Sequence, residues 1–213
     1  PQYCRAFRFP QSSLKYLCAY ITDNTDKKNH IIAANEGNAI AIAVGKYLAT
    51  KKIPLVYMQN SGQGNTINPL ASLVDPDVYS IPLLMLIGWR GEPGKKDEPQ
   101  HVKQGKITLK LLETLDIPYE VLPENMEEAK GTIERAFRYM ESNNAPYAIV
   151  IKKGSFEEYS LQNKIESNYE MSREDAIKIL TDNLEDGDIV ISTTGKTSRE
   201  LFEYREELNQ GHE

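Results

Sequence analysis

An α/β fold built on a parallel sheet flanked by helices is what this sequence predicts, and three observations carry the prediction. Short β-like runs alternate with helical stretches from residue 30 to residue 151. The run PLLMLI at 82–87 is continuous and apolar, as in a strand covered on both faces. The intervening stretches place apolar residues at three- and four-residue spacing. Such alternation implies right-handed crossovers, with ligands bound beyond the carboxyl ends of the strands.

The elements follow in order. HIIAA at 30–34 reads as a strand, and residues 36–50 as a helix that is apolar almost all round. PLVYMQ at 54–59 is a strand, NSGQGN at 60–65 a glycine-bearing loop, and 66–74 a helix. After the strand at 82–87, residues 88–105 read as a long polar loop. Residues 107–115 align Ile107, Leu111, Leu112 and Leu115 on one helical face, and 119–122 is a short strand. Residues 126–140 set Met126, Ala129, Ile133, Ala136, Phe137 and Met140 on one stripe, which reads as core packing. PYAIVI at 146–151 closes the set as a strand. One domain therefore spans 1–152. Residues 153–170 are polar without a steady period and read as a linker. At 171–213 a second α/β domain starts and is incomplete. Ser172 and Asp175 form a capping box for a helix through 180, DIVIS at 188–192 is a strand, and TTGK at 193–196 turns into a charged helix.

Composition bounds the function. The 213 residues carry a formal net charge of −6, and 40% are hydrophobic, as in a soluble globular protein. Lysine pairs are scattered among acids, so no basic patch points to nucleic acid. The longest apolar run, 81–89, is too short to span a bilayer. The N-terminus has no signal core, and Cys4 and Cys18 have no metal spacing, so a cytoplasmic location with reduced thiols is expected.

Four segments could carry chemistry. TTGKTS at 193–198 lacks the first glycine of a phosphate loop, because Val190 stands there, but its turn and helix N-terminus can still meet an anion. NSGQGN follows a strand but lacks the third glycine of a dinucleotide fingerprint. GWRGEPGKKDEPQHVKQG at 88–105 sets Arg90, Asp97, Glu98, Gln100 and His101 among prolines and glycines that fix a path. Arg90 can hold a carboxylate or phosphonate bidentately, and His101 can move protons near neutral pH. In AANEGNAIAIAVG at 33–45, Glu36 stands at the mouth of an apolar helix. The macrodipole favours a carboxylate there by a few tenths to about 1 kcal/mol. A ligand nitrogen would give it a reason to be buried.

NEGNAIAIAVG, YMQNSGQGNTINPLASL, IGWRGEPGKKDEPQHVKQG and STTGKTSRELFE together resemble the thiamine-diphosphate-dependent decarboxylases of the phosphonopyruvate type, with sulfopyruvate decarboxylase as the near alternative. The resemblance implies two α/β domains, a pyrimidine-binding one matching 1–152 and a diphosphate-binding one beginning near 171. It implies that Glu36 hydrogen-bonds the pyrimidine N1′ and favours the imino tautomer that takes the proton from thiazolium C2. Asn60, Ser61 and Gly62 would lie by the pyrimidine, and Thr194 and Gly195 by the diphosphate. Arg90, Asp97, Glu98, Gln100 and Lys196 would shape the substrate side, with His101 relaying protons. Thiamine diphosphate and Mg2+ are the implied cofactors, a small 2-oxo acid the substrate, and a homo-oligomer with sites between subunits the assembly. No metal ligand is assigned within this chain. Two departures accompany the resemblance. FPQS stands at 9–12 where the family has V-P-D-S, after an N-terminal stretch, PQYCRAFRF, unlike the family's first helix and strand. The family's G-D-G…N magnesium and diphosphate motif is absent. The chain is accordingly read as an N-terminal portion, inactive alone, with a non-catalytic binding module as the reading from another class.

Overall fold

The computed structural model describes residues 2–6, 13–163, 168–185, 187–192 and 195–210. They fall into two compact units, Pro1–Asn163 and Lys164–Glu213.

In the first unit the order is β1 (Gln2–Ala6), α1 (Lys15–Asn24), β2 (His30–Ala33), α2 (Glu36–Thr50), β3 (Pro54–Gln59), α3 (Gln63–Pro69), β4 (Leu84–Gly88), α4 (Pro99–Thr114), β5 (Tyr119–Val121), α5 (Met126–Asn143) and β6 (Tyr147–Ile151). Among the described residues six strands form one sheet in the order β2-β1-β3-β4-β6-β5. Every pairing is parallel. Side-chain alternation sorts the strands into two cores. Val56, Met58, Met85, Ile87, Ala148 and Val150 pack with Ile40, Ala43 and Leu112 of α2 and α4 on one face. Leu55, Tyr57, Leu84, Ile149 and Ile151 pack with Cys18, Ile21, Ala136 and Met140 of α1 and α5 on the other. The predicted doubly covered parallel sheet is the observed one.

Several expectations are corrected. The N-terminal stretch that looked unlike the family supplies β1, an interior strand paired with both β2 and β3. The polar loop expected at 88–105 is a turn only as far as Glu98. Pro99 then opens α4, where its fixed φ and missing N–H suit a first helical position. The face that α4 buries is Gly105, Thr108 and Leu112, too small and polar to register as an apolar stripe. On α5, Ala136 and Met140 are buried, but Met126 and Ile133 are exposed. The first part of the expected linker is fixed: Asp23 of α1 accepts from the Tyr159 hydroxyl and from the amides of Gln162 and Asn163, and Tyr16 donates to Glu158 at 2.8 Å.

The second unit pairs α6 (Arg173–Asp182) with α7 (Lys196–Glu207) through Arg173–Glu200 and through the Tyr204 hydroxyl, which donates to Asp182. The expected capping box is present, with Asp175 N–H donating to Ser172 Oγ at 3.1 Å and Ser172 N–H to Asp175 Oδ2 at 2.9 Å. The strand expected at 188–192 is not formed; Ile189 and Ile191 are 88% and 92% exposed. A β-like run becomes a strand only where a neighbour pairs its backbone groups, and the described residues of this unit provide none.

Candidate functional site

Three segments that follow β2, β3 and β4 converge at the carboxyl edge of the sheet. Glu36 is the first residue of α2, behind Asn35, whose side chain caps the helix by accepting from Asn38 N–H at 2.8 Å. Glu36 is only 6% exposed. Its Oε2 accepts from Asn65 Nδ2 at 2.9 Å, while among the described residues nothing donates to Oε1. The carboxylate lies directly against Gly62, where a Cβ would come 2.2 Å from Glu36 Cδ and 2.3 Å from Oε1. Gly62 is therefore the residue that admits Glu36. Ser61, exposed beside it, accepts from Gln59 Nε2 at 2.8 Å.

Asn60 is fully buried, and its side chain is spent inside the protein. Its Nδ2 donates to the Arg90 carbonyl and to Thr108 Oγ1, both at 2.8 Å, and its Oδ1 accepts from Arg90 N–H at 3.1 Å. Gln104 Nε2 donates to the Asn60 carbonyl at 2.7 Å. Asn60 thus ties the end of β3 to the turn after β4 and to α4.

The turn after β4 is closed by an ion pair. Arg90 Nε donates to Asp97 Oδ2 at 2.8 Å, and Nη2 donates to Oδ1. Asp97 also accepts from the amides of Gly91 at 2.7 Å and Glu98 at 2.8 Å. The Arg90 guanidinium, with these amides, holds the Asp97 carboxyl well below the usual carboxylate range. The fork expected to grip a substrate anion grips Asp97 instead, because a partly buried guanidinium with a carboxylate seven residues away saves both from unpaired burial. Behind the turn, α4 comes down onto backbone: a Cβ on Gly105 would lie 1.7 Å from the Gly91 oxygen. Trp89 Nε1 fastens the same contact by donating to the Gly105 carbonyl at 2.9 Å.

His101 lies in the first turn of α4, half-buried, and Gln100 and Glu98 are exposed beside it. Burial, and then the Arg90 charge, push the His101 pKa down, against opposing pulls from Asp97 and Glu98. His101 is therefore neutral at neutral pH. In the second unit Gly195 caps α7 with a φ of +116°, and Lys196 is its first residue, exposed. Thr194 lies outside the described residues. Sequence reasoning gave no role to Asn65, Gln104 and Thr108, although Asn65 stood within NSGQGN and Gln104 within the 88–105 segment already singled out.

A buried helix-mouth carboxylate thus stands at the carboxyl edge of a parallel sheet. Residues 3–112 match the family described as thiamine pyrophosphate enzyme, N-terminal TPP binding domain. The chain belongs to the thiamine pyrophosphate enzyme family. It is 30% identical to phosphonopyruvate decarboxylase of Streptomyces hygroscopicus over 206 residues, covering 87% of this chain and 51% of that one. It is 39% identical to the sulfopyruvate decarboxylase subunit alpha of Methanococcus maripaludis over 142 residues, 67% of this chain and 81% of that one. Benzoylformate decarboxylase from Polynucleobacter necessarius shares the fold with a TM-score of 0.51 at 15% identity, over 85% of this chain and 33% of that one. The chain spans about half the length of the Streptomyces relative. Among the described residues no helix is long and apolar enough to cross a membrane.

Proposed function

We propose that this chain provides the pyrimidine-binding part of a thiamine-diphosphate-dependent 2-oxo acid decarboxylase, acting on phosphonopyruvate to give phosphonoacetaldehyde and carbon dioxide. The observation that carries the reading is Glu36, a buried carboxylate with one oxygen oriented by Asn65 and the other offered beside a glycine. When bound, thiamine diphosphate supplies the electron sink for loss of carbon dioxide from a 2-oxo acid.

The chain's own residues then have distinct tasks. Glu36 holds a hydrogen bond at a pyrimidine ring nitrogen, and its burial strengthens that bond. Asn65 fixes the carboxylate rotamer, and Gly62 and Ser61 make the floor beside it. Asn60, Arg90 and Asp97 position the loops. His101, kept neutral, takes or gives a proton on the substrate side, with Glu98 and Gln100 next to it. Gly195 and Lys196, together with Thr194, serve the diphosphate and substrate from the second unit. Among the described residues no group of three or more His, Cys, Asp or Glu is placed to hold a metal, so Mg2+ enters the proposal without a ligand set from this chain.

Sulfopyruvate is the second reading, favoured by the 39% identity to the Methanococcus subunit. A cytoplasmic homo-oligomer, with the active site shared between chains, completes the proposal. The test offers both 2-oxo acids to the complete enzyme with thiamine diphosphate and magnesium and follows carbon dioxide. Release from phosphonopyruvate in preference is the expected result; preference for sulfopyruvate moves the substrate, and release from neither moves the chain to a binding module.

A further inference from the structure

A cleft of about 920 Å³ opens on the first unit where the start of α1, the turn after β4 and the segment after β6 meet. Its size lies within the range of small-ligand sites. Three lysines from these three separate segments line it: Lys15, Lys96 and Lys153. None of the three has an ion-pair partner among the described residues. The neighbouring Lys152, by contrast, pairs with Glu92 at 3.5 Å. Lys15 lies 5.1 Å from the Tyr16 ring centroid, a contact that leaves its charge intact.

The other charges on the cleft wall are accounted for. Arg90 and Asp97 cancel each other. Glu158 accepts the Tyr16 hydroxyl at 2.8 Å, and Glu98 faces the cleft as the remaining carboxylate. Among the described residues, three ammonium groups against two carboxylates leave the wall net positive in a chain whose overall charge is −6. The first turn of α1 adds to this: it has no side-chain cap and no acidic residue. The Ser13 hydroxyl, buried without a partner among the described residues, lines the same cleft.

We infer that this cleft takes the tetrahedral oxyanion at the tail of the substrate, a phosphonate or sulfonate, through Lys15, Lys96 and Lys153. The inference rests on the proposed decarboxylase reading for the rest of the substrate, but the described lining of the anion site lies within residues 13–158. It assigns the task that Arg90 cannot perform while it holds Asp97. Lysine suits a small, strongly charged oxyanion read as a point charge.

The test is calorimetric titration of the 213-residue chain at low salt with phosphonoacetate, sulfoacetate and acetate as tail probes, in K15M, K96M and K153M and in the control K46M on α2. All three cleft side chains are exposed, so the substitutions leave the cores untouched. Phosphonoacetate is expected to bind in preference to acetate, and each cleft variant to weaken it about ten-fold, with K46M unchanged. The ratio of phosphonoacetate to sulfoacetate affinity tells which tail the site favours. Equal binding of phosphonoacetate and acetate, or unchanged affinity in all three variants, overturns the inference. So does displacement of phosphonoacetate by thiamine diphosphate, because the cleft would then hold the cofactor's diphosphate. Cofactor binding is read in the same samples through the fluorescence of Trp89, the single tryptophan. Cofactor binding without tail binding removes this site and leaves the decarboxylase reading; tail binding without cofactor binding keeps this site, and the decarboxylase reading is then decided by carbon dioxide release from the complete enzyme.

Discussion

Asn60 and Arg90 exchange two hydrogen bonds across the ends of β3 and β4, side-chain amide to backbone carbonyl at 2.8 Å and backbone amide to side-chain carbonyl at 3.1 Å. The pair continues the sheet's hydrogen bonding past the last residues of both strands. It holds the turn that carries Asp97 and Glu98, and the start of α4 with His101, against the segment that carries Gly62 and the start of α3 with Asn65.

Asn60→Ala should therefore cost about 3 kcal/mol of stability, because the Arg90 amide and carbonyl lose their partner in a partly buried site. Urea unfolding at neutral pH checks the figure. A change under about 0.5 kcal/mol would mean that water replaces the amide without loss.

Two glycine-to-alanine substitutions should behave differently. At Gly62 the new methyl meets the flexible end of Glu36, which can swing away. G62A should keep its melting temperature within a few degrees and lose thiamine diphosphate affinity. At Gly105 the methyl meets the Gly91 carbonyl at 1.7 Å, and neither backbone can yield locally. G105A should lose at least about 3 kcal/mol or fail to fold. Paired thermal melts and cofactor titrations separate the two outcomes.

Acid stability should track Glu120. It accepts from Tyr147 at 2.8 Å and from Thr132 at 3.1 Å, and Arg135, its ion-pair partner, brings its pKa from 4.5 to about 2. The unfolded chain binds this proton more readily than the folded one. The contribution is thus full above 4.5 and fades as pH falls towards about 2. Part of it is screened by solvent. E120Q should flatten the pH dependence of stability in that window, and an unchanged slope would assign the acid sensitivity elsewhere. Asp97, depressed in the same direction by Arg90, should leave a residual slope that D97N removes.

His101→Ala should lower turnover more than cofactor affinity. The acid limb of the rate profile should lie below 6.5, since burial and Arg90 depress this imidazole, and it should vanish in the variant. Unchanged turnover would make His101 an ordinary helix-surface residue.

Much of the fold was legible because strands buried on both faces are written as unbroken apolar runs; PLVYMQ and YAIVI could hardly be anything else. QYCRA was not legible as β1, since Gln2 and Arg5 break its apolar run, and its interior place comes only from the neighbours it pairs with. DIVIS shows the converse, a strand-like run left unpaired. At the site, Glu36 stood out because a carboxylate at the mouth of an apolar helix is costly without a purpose. The Arg90–Asp97 pair did not stand out, because a turn with prolines and glycines between two charges does not announce that they meet. Asn60 was singled out, but its bonds to Arg90 and Thr108 were not legible, because its amide reads the same whether it faces a ligand or a buried carbonyl.

The measurement that bears most directly on the account is the decarboxylation rate of Glu36→Gln in the complete enzyme, with the fold checked by circular dichroism. The account predicts an intact fold and near-complete loss of carbon dioxide release, because the amide cannot hold the proton at the pyrimidine nitrogen. Activity within about threefold of the unaltered enzyme would contradict it, and would return Glu36 to the role of a carboxylate that favours a helix end.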